Sequence, residues 1–223
     1  VGQGGAHIDV ESVESEGFGQ RVRGKLVGEP MEFLLPLVGR FQVDNAAVAA
    51  GLAMASGVDN KTAIAALEHL KGAKGRLEMV ARRGERAVFV DYAHTDDALR
   101  NVLTTLREIT RGRLIVVFGC GGNRDRTKRP LMGRVCAELA DWLVVTSDNP
   151  RGEEPMSIIG QILEGVSADT AVAVEPDRRA AIRLALAESG PDDVVLVAGK
   201  GHEPFQELAD RTVPFDDRQV VAE

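Results

Sequence analysis

Four polar stretches hold the side chains of this chain best suited to chemistry: Asp91-Tyr92-Ala93-His94-Thr95, Gly119-Cys120-Gly121-Gly122-Asn123-Arg124-Asp125-Arg126, Asp148-Asn149-Pro150-Arg151 and Gly199-Lys200-Gly201-His202-Glu203. The third combines a carboxylate, an amide, a rigid turn and a guanidinium. An amino-acid zwitterion needs that set, with Asp148 for an ammonium, Arg151 for a carboxylate and Asn149 for either. The same residues also suit a helix start, with Asp148 or Asn149 as the cap and Arg151 in solvent. In the second stretch Arg124 stands where a dinucleotide fingerprint requires its third glycine, so that motif fails. A glycine loop followed by Arg124, Arg126, Lys128 and Arg129 is better matched to a carboxylate or phosphate, which a planar guanidinium fork can grip with two bonds. A solvated basic turn is the plainer alternative.

His94 and His202 both follow strands and are candidate metal ligands, but no HxH, HExxH or Cys/His spacing accompanies them, so no zinc site is expected. Hydrogen bonding to a nucleotide or to loop backbone is the milder reading. Lys200 is followed by Gly201 where a phosphate-binding loop needs Ser or Thr, so this stretch holds no P-loop. Cys120 lacks the residues of a nucleophile elbow and reads as a small packing residue.

These stretches must be held by the elements around them. From about residue 87 the pattern alternates apolar strands with amphipathic helices: strands at 87–90, 114–118, 142–146, 170–174 and 193–198, helices at 96–109, 131–139, 155–163 and 177–188. Strands apolar on both faces in successive βα units predict a parallel, doubly wound sheet. Ligands of such sheets bind beyond the carboxyl ends of the strands, and all four polar stretches fall there. Before this region, β-prone runs at 8–13, 19–26 and 31–37 predict an antiparallel meander, followed by a helix over 45–56 and a second, capped by Asn60, through about Leu70. The stretch Lys71-Gly72-Ala73-Lys74-Gly75 reads as a linker.

Composition narrows the classes. With 223 residues, 44% of them hydrophobic, the chain can bury a sizeable core. A net charge of −7 argues against a nucleic-acid partner for the surface as a whole. Two cysteines outside any CxxC pair fit a reducing compartment, and no signal peptide or membrane-length apolar run is seen, so a soluble, cytoplasmic protein without membrane insertion is expected. The opening Val1-Gly2-Gln3-Gly4-Gly5, with no initiator methionine, reads as the start of a fragment.

Taken in order, Gly39-Arg40-Phe41 with Asp44-Asn45-Ala46, Gly75-Arg76-Leu77-Glu78, Asp91-Tyr92-Ala93-His94-Thr95, Phe118-Gly119-Cys120-Gly121-Gly122, Lys128-Arg129-Pro130-Leu131-Met132-Gly133, residues 146–151 and Ala198-Gly199-Lys200-Gly201-His202-Glu203 closely resemble the motifs of the Mur ligases. The resemblance runs from about Ile8 to the end. It implies an enzyme of three domains: one binding a UDP-sugar, a central P-loop ATPase and a C-terminal Rossmann-like domain. Residues 1–73 would be the end of the central domain, with its antiparallel strands and helices, and 74–223 the C-terminal domain, a doubly wound, mostly parallel α/β sheet.

The implied activity is ATP-dependent amide-bond formation in peptidoglycan synthesis through an acyl phosphate, and the Asp-Asn-Pro-Arg motif resembles that of members adding meso-diaminopimelate to UDP-MurNAc-L-Ala-D-Glu. By resemblance, Asp148, Asn149, Pro150 and Arg151, with Arg124, Gly199 and Glu203, bind meso-diaminopimelate. Asn45 resembles an adenine contact, and Arg76, Asp91 and His94 resemble contacts to ribose or phosphates of ATP. The P-loop, the Mg2+ ligands and a carbamylated lysine would lie before Val1, so no catalytic residue and no metal ligand is assigned here and no turnover is expected from this stretch alone. Gly72 and Gly75 would flank a hinge for domain closure, and the protein would be a monomer. Two positions depart from the family pattern: Asn123 stands for the usual Asp, and Asp96 for the Pro after Tyr-Ala-His-Thr. Asn123 removes a charge beside Arg124 and is expected to loosen it. A Mur-type ligase for another acceptor and a folylpolyglutamate synthase-like ligase are the near alternatives, against which Arg151 and Arg124 argue; a stand-alone amino-acid or nucleotide-binding module is the alternative of another class.

Overall fold

The computed structural model describes all 223 residues, which divide into two compact units, Val1–Gly72 and Ala73–Glu223. In the first, β1 (Ile8–Glu16), β2 (Gly19–Leu26) and β3 (Glu29–Leu35) form an antiparallel meander, followed by helices α1 (Arg40–Ala55) and α2 (Asn60–Leu67). Val27 and Gly28, at φ 51° and 86°, form the two-residue β2–β3 turn between the paired Leu26 and Glu29. Positive φ at both central residues matches the right-handed twist of the strands. One face of the meander buries Ile8, Val10, Val22, Phe33 and Leu35 against Val43, Ala46, Ala47 and Ala50 of α1 and Ile64 and Leu67 of α2. The other carries cross-strand pairs such as Arg21 with Glu16 and Glu32. Helix α1 begins five residues earlier than the sequence predicts, so Asn45 lies inside it on the exposed side. Asp59, not Asn60, caps α2, its carboxylate accepting from the Thr62 N–H at 3.0 Å.

The second unit is the predicted doubly wound α/β sheet, with additions. Its elements are β4 (Glu78–Arg83), β5 (Arg86–Asp91), α3 (Asp96–Arg107), β6 (Leu114–Phe118), α4 (Lys128–Leu139), β7 (Trp142–Val145), α5 (Pro155–Leu163), β8 (Val172–Val174), α6 (Arg178–Glu188), β9 (Val194–Ala198), β10 (Phe205–Glu207), β11 (Thr212–Pro214) and α7 (Asp217–Ala222). The six-stranded sheet has the order β4-β5-β9-β6-β7-β8; β4 is antiparallel to β5 and the other neighbours are parallel. Every residue of β6 and β9 is buried, as strands covered on both faces must be. Alternation sends Val88, Val90, Ile115, Val117, Val144, Val195 and Val197 toward Ala181, Ile182 and Ala185 of α6 and Val220 of α7.

Strand order decides where the site lies. The chain leaves β5, skips a place to build β6, β7 and β8, and returns to insert β9 between β5 and β6. Loops on either side of β9 therefore diverge and leave a crevice at the carboxyl edge. The three-residue strands β10 and β11 form a separate antiparallel hairpin after it. Asp96, the residue replacing proline, opens α3, whose cap is the Thr95 hydroxyl accepting from the Ala98 N–H at 3.2 Å. An acidic residue in the first turn suits the positive end of the helix dipole as proline would suit its geometry.

Candidate functional site

The loops after β5, β6, β7 and β9 meet around a cavity of about 270 Å³ lined by Tyr92, His94, Gly119, Cys120, Gly121, Arg124, Lys128, Asp148, Asn149, Arg151, Gly199 and Glu203. Cations and carboxylates both face it, which suits a zwitterion better than a simple anion.

The loop after β7 supplies the most buried polar groups. Asp148 and Asn149 are 9% and 3% exposed, and α5 is capped by Glu154, whose carboxylate accepts from the Ser157 N–H at 2.8 Å. The helix-cap reading of Asp148 and Asn149 is thereby overturned. Both capping atoms of that reading lie inside the crevice instead. Asn149 Oδ1 accepts from Lys200 Nζ at 2.9 Å and from the Glu207 N–H at 3.0 Å, while Nδ2 donates to Glu203 Oε2 at 3.0 Å. The amide oxygen has both its partners and the orientation of the group is fixed, with one Nδ2 hydrogen unspent. Lys200, with no exposed surface, also reaches Glu203 Oε2 at 3.3 Å. Burial pushes the Asp148 carboxyl above its ordinary pKa, opposed by the charges of Arg178 and Lys200. Pro150 contributes the turn, its carbonyl accepting from the Glu153 N–H at 3.0 Å.

Arg151 adopts φ 51° and donates from Nη1 to the Gly122 carbonyl at 3.1 Å. Arg124, exposed at the rim, donates to the Asn123 carbonyl at 3.3 Å. The family departure at Asn123 falls on a residue at φ 53°, a conformation asparagine adopts more readily than most side chains. Its N–H donates to Glu153 at 2.6 Å, and Glu153 also receives both Nη atoms of the buried Arg129, at 3.0 and 2.9 Å. Arg129 in turn donates to the Gly121 carbonyl at 3.1 Å, so this ion pair ties the glycine loop to the loop after β7. The basic run is thus divided, with Arg129 buried, Arg126 exposed and Arg124 and Lys128 facing the cavity.

Gly199 has φ 116° and its missing Cβ would stand 2.6 Å from Asp148 Oδ2, so only glycine brings β9 this near the aspartate. Gly75 is equally constrained, at φ 64° with its Cβ position 2.2 Å from the Gly201 carbonyl carbon and the His202 nitrogen. It is packed within the second unit rather than free in a linker.

The residues expected to meet a nucleotide are distributed differently. His94 lines the cavity, its Nδ1 bonded to the Tyr92 carbonyl at 2.7 Å, and Lys128 Nζ donates to the His94 carbonyl at 2.8 Å. The Arg76 guanidinium lies 4.5 Å above the Tyr92 ring. Asp91 is buried beneath them, both oxygens accepting backbone N–H groups, from Leu77 at 2.6 Å and Ala93 at 2.7 Å. Burial raises its pKa against those two hydrogen bonds. Asn45 belongs to the other unit. No group of three His, Cys, Asp or Glu side chains is placed to hold a metal ion, and no helix is long and apolar enough to cross a membrane. Cys120 is 2% exposed and its Sγ lies 3.5 Å from Met132 Sδ.

Comparison with known proteins gives these loops a context. Residues 75–201 match the family described as Mur ligase, glutamate ligase domain. A UDP-N-acetylmuramoyl-L-alanyl-D-glutamate--2,6-diaminopimelate ligase of Chelativorans sp. (strain BNC1) is 50% identical over 99% of this chain and 45% of its own length. One of Brucella melitensis is 48% identical over 100% of this chain and 45% of its own. The chain thus spans under half the length of these relatives. A solved structure of a ligase with the same name superposes with a TM-score of 0.76 at 36% identity, covering 99% of this chain and 45% of that one. A Mycobacterium tuberculosis folylpolyglutamate synthase with ADP and AMPPCP shares the fold alone, at TM-score 0.66 and 22% identity over 87% of this chain and 45% of that one.

Proposed function

The chain belongs to the Mur ligase family, and from that premise we propose that it is the part of a longer, cytoplasmic, monomeric ATP-dependent ligase that recruits meso-diaminopimelate for addition to UDP-MurNAc-L-Ala-D-Glu. Residues 1–73 are read as the end of the central ATPase domain and 74–223 as the C-terminal domain. The observation carrying the proposal is the convergence of Arg124, Asp148, Asn149, Arg151, Gly199 and Glu203 on one cavity of mixed charge.

In the intact enzyme ATP would phosphorylate the D-glutamate side-chain carboxylate, forming a C–O–P acyl phosphate. The amine of the acceptor attacks that carbonyl, the tetrahedral intermediate expels phosphate, and the amine loses a proton as the amide forms. This chain's residues hold the amine donor. Glu203 keeps Oε1 free for an ammonium, since Asn149 and Lys200 both bond Oε2. Arg151 and Arg124 offer guanidinium N–H groups to carboxylates. meso-Diaminopimelate differs from lysine by a carboxylate at its distal stereocentre, which gives a guanidinium a partner that lysine lacks. Leaving such a charge pair unmade costs on the order of 2–5 kcal/mol, roughly 30-fold or more in affinity. Arg76, Asp91, His94 and Asn45 are proposed as the nucleotide side. Mg2+ would neutralise phosphate charge when bound, but no set of side chains here fits it, and its ligands are assigned to the upstream part.

Arg151→Ala in the full-length protein tests the assignment. The KM for meso-diaminopimelate should rise by roughly 30-fold or more with the KM for ATP little changed; an unaltered diaminopimelate KM would sink it. Calorimetry separates the stand-alone binding module, because tight ATP binding by this chain alone would contradict a nucleotide site completed elsewhere.

A further inference from the structure

Arg151 is held from behind by a strand that no motif marks. Hairpin β10–β11 meets residues 148–151 through four contacts. Gln206 Nε2 donates to the Asp148 carbonyl at 2.7 Å, and the Glu207 N–H donates to Asn149 Oδ1 at 3.0 Å. The Arg151 N–H donates to the Glu207 carbonyl at 3.1 Å, and Arg151 Nε meets Glu207 Oε2 at 2.5 Å as an ion pair. That carboxylate oxygen is buried and has no hydrogen-bond partner in line, so the guanidinium charge is what offsets its burial. Arg151 lines the cavity and Glu207 does not.

The three guanidinium nitrogens are therefore in different states. Nε sits against Glu207, Nη1 donates to the Gly122 carbonyl at 3.1 Å and reaches the Asn149 carbonyl at 3.5 Å, and Nη2 makes no hydrogen bond. Gly121, whose Cβ would stand 3.0 Å from Nη1, leaves room for this placement. A carboxylate can meet a guanidinium side-on, across Nε and Nη2, or end-on, across the two Nη atoms. Glu207 closes the first approach. We propose that Glu207 is a positioning residue for acceptor specificity: it fixes Arg151 so that a ligand carboxylate is received on the Nη side of the guanidinium, chiefly by Nη2. This rests on the proposed function of the site.

The test is steady-state kinetics of the full-length ligase with meso-diaminopimelate and with lysine as acceptor, for Glu207→Ala, Glu207→Gln and Arg151→Ala. Glu207→Ala frees the guanidinium and should raise the diaminopimelate KM about tenfold, with kcat within about twofold. Because lysine offers Arg151 no distal carboxylate, the preference for diaminopimelate over lysine should shrink by about the same tenfold factor, whereas a general structural defect would impair both acceptors. Glu207→Gln loses the charge but keeps the side chain that closes the side-on approach, and should hold the diaminopimelate KM to within about threefold of the parent. A Glu207→Ala enzyme with unchanged diaminopimelate KM, or a Glu207→Gln enzyme as impaired as Glu207→Ala, overturns the proposal while a sensitive Arg151→Ala leaves the site assignment standing. An insensitive Arg151→Ala refutes the site assignment itself. Should Glu207→Ala not fold, Glu207→Asp retracts the carboxylate by one methylene: a KM rise of about threefold or more supports the proposal, and no rise overturns it.

Discussion

Arg178 and Asp217, 39 residues apart, form an ion pair with no exposed surface on either side chain, Nε and Nη2 donating to the two carboxylate oxygens at 2.8 Å each. The same guanidinium donates to the carbonyls of Ser147 at 3.3 Å and Ala198 at 3.0 Å, the residues just before Asp148 and Gly199. One buried arginine thus joins helix α7 to the two loops that form the middle of the cavity.

Breaking this pair on one side should be severe. Asp217→Leu leaves the buried Arg178 cation without its hydrogen-bonded carboxylate and should lower the chain's unfolding free energy by about 3–5 kcal/mol, read from urea denaturation midpoints. Adding Arg178→Met to it should recover much of the loss, because two apolar groups replace two desolvated charges. A double variant no more stable than the single one would show that the carbonyl contacts, not the charge, dominate.

Glu153 should give stability a marked acid dependence. Hydrogen bonds from Arg129 and from the Asn123 N–H, with the Arg129 and Arg126 charges, hold its carboxyl at about 2 against an ordinary 4.5. A depressed pKa contributes stability that is complete above the unfolded value and is lost as pH falls from 4.5 toward 2. Denaturation midpoints of Glu153→Gln should therefore fall less steeply than the parent's between about pH 6 and about pH 3.5. Parallel curves would remove Glu153 from the account.

Both cysteines should be silent in the folded chain. Burial pushes the Cys120 thiol up to about 12 and Cys136 well above its ordinary value. At pH 8 a thiol of that kind is ionised in only about one molecule in ten thousand. Iodoacetamide should label neither residue natively and both in denaturant. Rapid native labelling of Cys120 would restore the nucleophile reading that its sequence context disfavours.

Two neighbouring glycines should behave oppositely. A Cβ at Gly122 would lie 1.8 Å from the Pro150 carbonyl oxygen, so Gly122→Ala must part the two loops and should cost about 1–3 kcal/mol with loss of acceptor binding. At Gly121 a Cβ meets the Arg151 Nη1 at 3.0 Å and the Arg124 Cγ at 3.5 Å, and Gly121→Ala should retain stability while disturbing the arginines. Thermal unfolding of the pair decides it, and equal losses would contradict the geometry.

The central strands were legible because continuous apolar runs such as Leu114–Phe118 and Val194–Ala198 leave few other readings. Strand β4 was not, since Glu78–Arg83 ends on two arginines and pairs on one edge only, where its outer face stays wet. Hairpin β10–β11 has three-residue strands, too short to show a period. The four polar loops were readable because they follow strands. Their supports were not: Arg178 and Arg179 are indistinguishable in sequence, yet the first is fully buried and the second has a 40% exposed side chain. Lys200, Glu207 and Asp217 acquire their meaning from partners far along the chain. The one available hint was Lys200, a cation set between two glycines directly after an apolar strand.

The place of β9 also governs when this domain can form during synthesis. Until Val194–Ala198 has left the ribosome, β4–β5 and β6–β7–β8 are two half-sheets, each with a bare apolar edge where β9 will pair. Such edges invite pairing with other chains. The growing polypeptide therefore passes through a vulnerable interval between making β5 and closing the gap, and truncation just before Val194 should yield aggregates rather than a smaller folded domain. The strand that completes the sheet also leads directly into Gly199, Lys200 and Glu203, so closing the sheet and placing this side of the cavity are linked, while α7 and hairpin β10–β11 follow to brace them.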